Sequence, residues 1–314
     1  MVVLGVGAAR YGRDSAPMIG AHAPPDLEDA GLVAWCAPGL EPIVGGGCFA
    51  AAANGAKQHA PLIVYLHGRF ERMAPQEELD RQRRLAERAT SKGFAVLALR
   101  GREGQCLQPE LATWVCWPAS ERSVDAGAGY VSAWEPTFRE AEARAGKGKC
   151  YVIGFSSGGF FAVILATRGL VDADAFAIAG AGPIEPTHAR DDAHKPPLLL
   201  LSADDDPSQP DMMQLDMELT REHWAHDEWS RPGGHELLDP DIDAALAFFT
   251  RAATEKLPLR PPLGTHIPRA RDPNARDAAP PAEPDHPEDT DKAAKPDNPY
   301  DPAATSAPPV LADD

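Results

Sequence analysis

No stretch of this sequence approaches the roughly 20 apolar residues that a bilayer-spanning helix needs, so no membrane span is expected. Positive charge is also scarce: Lys and Arg number 30 against 47 Asp and Glu, a formal net charge of -17. Nucleic acid and anionic membrane surfaces both require a basic face, which argues against either as a partner. There is no C-x-x-C pair and no Cys/His spacing of a zinc site, and nothing calls for a metal or another cofactor. The N-terminus, Met-Val-Val-Leu-Gly-Val-Gly-Ala-Ala-Arg, has no basic residue ahead of its apolar stretch, so a signal peptide finds little support there. Gly5-Val6-Gly7 lies too near the first residue for a preceding strand, and Tyr11 to Pro17 would not continue a helix, which argues against a dinucleotide site.

What is present suits a soluble α/β domain with a tail. The chain has 314 residues, 43% of them hydrophobic and 25% charged, enough for one large core or two small ones. Five cysteines form two close-spaced pairs, Cys36 with Cys48 and Cys106 with Cys116, and leave Cys150 over. Two readings are open: local disulfides in an exported (periplasmic or extracellular) protein, which we favour, or buried thiols in a cytoplasmic one.

Residues 31–52 hold two short strand-like pieces, Gly31 to Cys36 and Cys48 to Ala52, around Gly45-Gly46-Gly47, an arrangement that suits an edge hairpin. Regular alternation begins at Pro61. Leu62 to Leu66 is a continuous apolar run of the kind a strand buried on both faces needs, and it ends in His67-Gly68. A helix follows from about Pro75, with Glu77 and Glu78 in its first turn, arginines later and Gly93 as its stop. Phe94 to Leu99, Ala175 to Ala179 and Leu198 to Leu201 are further buried strands, and this order of elements builds a mostly parallel sheet flanked by helices.

Between them, residues 101–148 are long for a crossover and carry Cys106, Trp114, Cys116, Trp117 and Trp134, with helical character only around Tyr130 to Ala145. Such a segment is a lid or pocket wall, or else a satellite core. His188, Asp191, Asp192 and His194 fit no familiar ligand spacing and read as a solvated loop. A helix is expected near Met212 to Arg221 and a last short strand within His223 to Ser230, then a loop, Arg231-Pro232-Gly233-Gly234-His235. Asp239 reads as the N-cap of a closing helix that buries Ile242, Leu246 and Phe249. From Leu257 onward prolines recur among Asp, Glu and Ala without periodicity.

The stretch that organises the rest is Lys149 to Phe161, a short buried strand, a sharp turn and the start of an apolar helix. Within it Gly154-Phe155-Ser156-Ser157-Gly158 fits G-x-S-x-G, in which a serine stands at the apex of a strained strand-to-helix turn. Glycines two residues before and after the apex leave room for that turn. Ser157 is the poorer apex, because Phe155 would then fill a position that has to be small. A serine hydroxyl is a weak nucleophile until a base takes its proton, and the base needs a third group to orient it. The chain offers both in the order serine, acid, histidine. Ala203-Asp204-Asp205-Asp206-Pro207 places three carboxylates at the end of a buried strand, and Gly233-Gly234-His235 places a histidine on a loop free to bend. His223 and His226 compete as bases only if that loop reading fails.

On these residues the chain is similar to the α/β-hydrolase superfamily over about residues 60 to 253. The Cys/Trp-bearing insertion and compact triad spacing resemble the polyhydroxybutyrate-depolymerase, feruloyl-esterase and dienelactone-hydrolase branches. The resemblance implies Ser156 as nucleophile, His235 as base and, from Asp206-Pro207-x-x-Pro210, Asp206 as acid with Asp205 as the alternative. It further implies an oxyanion hole from the backbone N–H groups of Ser157 and Arg69, the latter after His67-Gly68. His67, Phe70, Trp114 and Trp117 are candidates for the substrate pocket, with a structural role also open to His67, and the Arg69 side chain could read a polar or acidic substrate group.

The implied function is hydrolysis of a small-molecule or polymeric carboxylic ester, with peptidase or acyltransferase chemistry on the same triad, or a non-catalytic binding scaffold, as alternatives. The chain then divides into an irregular segment at 1–30, a hydrolase domain at 31–254 with an insertion or lid at about 101–148, and a disordered acidic Pro-rich tail at 255–314. Oligomeric state is not legible.

Overall fold

The apolar runs determine the architecture. A computed structural model of the protein describes residues 35–53, 59–106, 108–184 and 195–255, with the backbone alone over 121–126. The segments expected at 1–30 and beyond 255, and the loop from His188 to His194, lie outside these residues.

Leu62–Leu66 (β3) and Ala95–Leu99 (β5) form as expected and are buried along their whole length, as are Ala175–Ala179 (β9), Leu198–Ala203 (β10) and, after its first residue, Cys150–Phe155 (β8), toward the middle of the sheet. With Glu41–Ile43 (β1), Gly47–Ala50 (β2) and His226–Arg231 (β11) they make an eight-stranded sheet in the order β1-β2-β5-β3-β8-β9-β10-β11. Every pair from β5 to β11 is parallel, while β1–β2 and β2–β5 are antiparallel.

Alternation along each strand divides the core in two. Val64, Leu66, Leu97, Val152, Phe176 and Leu200 face the helices Glu121–Ala145 (α2), Ser157–Thr167 (α3) and Gln209–Arg221 (α4). Ile63, Tyr65, Val96, Ile153, Ala177 and Leu201 face Gln76–Ser91 (α1) and Asp239–Thr254 (α5). This is a mostly parallel sheet covered by helices on both faces, the α/β-hydrolase architecture.

Several elements differ from the sequence reading. The edge hairpin is present between β1 and β2, while residues 31–34, most of the piece expected as its first strand, lie outside the described residues. α2 begins nine residues before Tyr130, at Glu121. Glycines at 127 and 129 and Pro136 hide it from a propensity argument, and the edge-to-face packing of Tyr130 and Trp134 on Phe161 holds it in place. β11 alternates poorly because it is an edge strand whose one buried imidazole, His226, bonds to Asp216 at 3.0 Å. At α5, Leu238 is the N-cap and its N–H donates to the Asp241 carboxylate at 2.8 Å, while Asp239 is turned to Arg88 at 2.6 Å.

Phe70–Glu71 (β4), Arg102–Glu103 (β6) and Trp114–Cys116 (β7) form a second, antiparallel sheet in the order β4-β7-β6. Two disulfides are formed, Cys36–Cys48 and Cys106–Cys116, with Cα separations of 5.4 and 5.2 Å, and Cys150 is a free thiol. Burial pushes that thiol up to about 12, which keeps it protonated and inert at neutral pH. Among the described residues no helix is long and apolar enough to cross a membrane, and no group of three or more His, Cys, Asp or Glu could hold a metal ion.

Candidate active site

β8 ends in a turn that only small residues permit. Ser156 sits there at φ 52°, ψ -121°, a left-handed conformation that an L-residue holds only when its surroundings enforce it. A Cβ on Gly154 would lie 2.5 Å from the Gly158 carbonyl oxygen, and one on Gly158 would lie 2.2 Å from the carbonyl oxygen of Leu66 in β3. The Ser156 N–H donates to the Ala179 carbonyl at the end of β9 (2.8 Å), and its own carbonyl accepts from Phe160 N–H (3.0 Å). The apex is thus held from the neighbouring strand and the following helix together.

Three side chains from separate loops meet there. Ser156 Oγ lies 2.8 Å from His235 Nε2, and His235 Nδ1 lies 2.8 and 2.9 Å from the two carboxylate oxygens of Asp206. Asp206 is buried, which by itself would raise its carboxyl. The hydroxyl and N–H of Ser208, at 2.6 and 2.8 Å, and His235 together hold it below the ordinary carboxylate range. An ionised carboxylate only accepts, so Nδ1 carries the imidazole proton and Nε2 is free to accept from the serine hydroxyl.

The neighbouring carboxylates point elsewhere. Asp205 and Asp204 are exposed, and their N–H groups donate to the carbonyls of Gly233 and Arg231 (3.0 Å each), tying the acid loop to the histidine loop. His226 is buried between Asp216 and the Trp224 carbonyl and does not reach this site.

A cleft of about 510 Å³ opens beside Ser156 and His235. Arg69 and Ser157 both line it, and Ser157 stands at the first position of α3, where a backbone N–H has no partner within the helix. Of the four pocket candidates, Trp117 lines the cleft and the other three do not. His67 is fully buried: its Nε2 accepts from Gly101 N–H (2.8 Å) and its Nδ1 donates to the Gly68 carbonyl (2.5 Å). Burial drives its pKa down to about 3, so it is a neutral bridge between the end of β3 and Gly101. Phe70 is stacked on Trp35 with ring centroids 5.3 Å apart, and Trp114 belongs to the small sheet.

The model of the dienelactone hydrolase family matches residues 76–233, half of the chain. The chain belongs to the dienelactone hydrolase family. It is accordingly a hydrolase. No curated protein matches it. Among solved structures it is similar to YahD solved with malic acid, at 17% identity and TM-score 0.49 over 66% of this chain and 98% of that one. A Bacillus cereus carboxylesterase is similar at 17% identity and TM-score 0.49, over 66% of this chain and 94% of that one. Est1E from Butyrivibrio proteoclasticus, with ferulic acid bound, shares 14% identity at TM-score 0.47 over 67% of this chain and 96% of that one.

In this dienelactone hydrolase family member, residues between Gln105 and Ala119 line one side of the cleft. The Cys106–Cys116 disulfide lines the cleft with Gln105 and Gln108. Trp117 is anchored by its N–H to Ser157 Oγ (2.9 Å) and by its Nε1 to the His67 carbonyl (3.0 Å). Replacing Cys106 and Cys116 together by serine should therefore loosen this wall of the cleft and leave the Ser156–His235–Asp206 contacts alone. Steady-state kinetics should show KM raised roughly tenfold, worth ~1.4 kcal/mol, with kcat little changed. The same change at Cys36 and Cys48, which do not line the cleft, should leave KM as it was.

Sequence reasoning missed three supporting residues. Gly180, at φ 57°, lies under the histidine, and a Cβ there would meet the His235 ring at 2.8 Å. Its signal was a glycine directly after a buried strand. Ser208, two residues after Asp206, is an Asx-type partner legible in Asp-Pro-Ser. Arg231 carries no local signal. Its guanidinium pairs with Asp241 (2.8 Å) and donates to the carbonyls of Pro232 (3.0 Å) and Glu236 (2.6 Å), shaping the loop that presents His235.

Proposed function

We propose that this hydrolase cleaves carboxylic esters of small molecules through an acyl-enzyme on Ser156. The observation that carries the reading is the unbroken hydrogen-bonded line from Ser156 Oγ through His235 to Asp206, each link at 2.8 to 2.9 Å. His235 takes the serine proton as the hydroxyl oxygen attacks the ester carbonyl, and Asp206 holds the ring and offsets the charge of the imidazolium. Backbone N–H groups of Ser157 and Arg69 donate to the tetrahedral oxyanion, each worth ~3 kcal/mol in sites of this kind. The proton passes from His235 to the departing alcohol, and water then releases the acid by the same steps with His235 again as base. A cleft of about 510 Å³ walled by Trp117 and Phe160 suits a small ester with an apolar part.

The domain carrying this activity spans 31–254, and its disulfides support an exported enzyme, since such bonds persist in oxidising compartments. A fluorophosphonate probe should label the native protein at Ser156, and the label should vanish in Ser156→Ala. A folded native protein that hydrolyses short-chain p-nitrophenyl esters yet takes no label would overturn the acyl-enzyme reading.

A further inference from the structure

Behind the site, on the α1 side of the sheet, lies an ion pair that the mechanism above does not use. Glu78 is fully buried and accepts from Arg81 Nη1 at 3.0 Å, and Arg81 is itself buried, with Glu77 as its outer partner. Such a pair rarely repays in stability what its desolvation costs, and here burial pushes the Glu78 carboxyl up to about 7. What the pair does hold is the position of a cation. The Arg81 guanidinium lies 5.0 Å from the ring centroid of Phe155, within cation–π range. That ring in turn lies 5.1 Å from the His235 imidazole, tilted by 32°. Phe155 is the residue immediately before Ser156, it is buried, and a Cβ on Gly68 would come within 2.9 Å of its ring. The backbone therefore closes on the Phe155 ring from one direction and the two charged or chargeable groups approach it from others.

We infer that Arg81 is a positioning residue for the proposed reaction: held by Glu78, it fixes the Phe155 ring, and the ring fixes the plane of the His235 imidazole beside Ser156. His235 needs such a support. Its Nδ1 is bonded to Asp206 and its Nε2 to Ser156, but its side chain is 35% exposed and stands on a loop with two preceding glycines, so the plane of the ring also depends on what packs against its faces. The inference rests on the acyl-enzyme reading for its consequence in catalysis, while the Arg81–Phe155–His235 contact stands apart from it.

The test uses the full chain. Glu78→Gln combined with Arg81→Met removes both charges and strands neither. It should lower kcat for a p-nitrophenyl ester roughly tenfold at unchanged KM, the scale of loss that a displaced catalytic group gives. In proton NMR the ring signals of His235, identified by their loss in His235→Gln, should move from their native positions, because the ring current of Phe155 no longer reaches them in one orientation. Arg81→Lys keeps a cation over the ring and should recover part of the rate. Phe155→Leu should reproduce the loss, and adding Glu78→Gln/Arg81→Met to it should cost no more. Unshifted His235 signals with native kcat in the charge-free variant would overturn the inference, as would losses that simply add in the Phe155→Leu background. If the charge-free variant does not fold, Phe155→Leu alone decides, and native His235 signals in it would overturn the inference. Since the NMR readout does not depend on turnover, a protein unreactive to fluorophosphonate would sink the acyl-enzyme reading and leave this test standing.

Discussion

Asp206→Asn should lower kcat for ester hydrolysis by about three to four orders of magnitude with the fold retained. In the native site Asp206 Oδ1 receives the hydroxyl and N–H of Ser208 at 2.6 and 2.8 Å, so an asparagine there keeps its carbonyl oxygen at that position. Its amide nitrogen then occupies the place of Oδ2, 2.9 Å from His235 Nδ1. The carbonyl oxygen kept 2.8 Å from Nδ1 carries no charge to offset an imidazolium, and the new amide donor beside Nδ1 favours the tautomer with its proton on Nε2. That nitrogen, 2.8 Å from Ser156 Oγ, now donates where it must accept, and the serine loses its base. The matching change Asp205→Asn alters an exposed side chain and should leave kcat within about twofold of native, as surface changes away from such features do. Measured side by side on a p-nitrophenyl ester, the pair discriminates the two acids. A large loss in Asp205→Asn with a native rate in Asp206→Asn would reverse the assignment.

The second large effect is on folding. Gly158→Ala should destabilise the protein by more than about 4 kcal/mol, a large share of the ~5–15 kcal/mol that domains possess. The added Cβ would lie 2.2 Å from the Leu66 carbonyl oxygen and 2.5 Å from that of His67. These are backbone atoms at the end of β3, which is paired on one side with β5 and on the other with β8 and cannot retreat. The helix α3 would have to lift instead, which breaks the bond from Gly158 N–H to the His67 carbonyl (3.0 Å) and carries Ser156 away from its partners. Gly129→Ala is the control. It lies in α2 with nothing within 4 Å of the new Cβ, and there alanine should stabilise by ~0.5–1 kcal/mol. Thermal or urea unfolding of the two variants should move in opposite directions. A native midpoint for Gly158→Ala would contradict the packing of α3 against β3.

Much of the scaffold was legible in the amino-acid sequence because the signals are local. A continuous apolar run such as Leu62 to Leu66 is buried on both faces wherever the chain takes it, and its alternate residues separate into the two cores without help from distant segments. The turn at Ser156 is local too. Its backbone angles bring Gly154 against Gly158, so the spacing of the two glycines announces the geometry. α2 was only half legible, since its helicity comes from Tyr130 and Trp134 packing on Phe161 and not from its own residues.

The details of the site belong to the tertiary structure. Asp205 and Asp206 are chemically alike and adjacent, and only the meeting of the two loops puts Asp206 against His235 Nδ1 at 2.8 and 2.9 Å while Asp205 stays exposed. Trp114, Trp117, His67 and Phe70 are equally aromatic neighbours of the turn in composition, yet of the four only Trp117 reaches the cleft, because Gly101 and Trp35 hold His67 and Phe70 inside and Trp114 sits half-buried in the small antiparallel sheet. Arg81 and Arg231 are ordinary charged residues until packing encloses them against Phe155 and Asp241. The sequence by itself determined which strands are buried and where the chain must turn sharply, since those follow from side chains acting on their own backbone. Folding alone decided which carboxylate and which ring come to lie beside the Ser156 hydroxyl, since that depends on contacts between segments 29 and 79 residues apart.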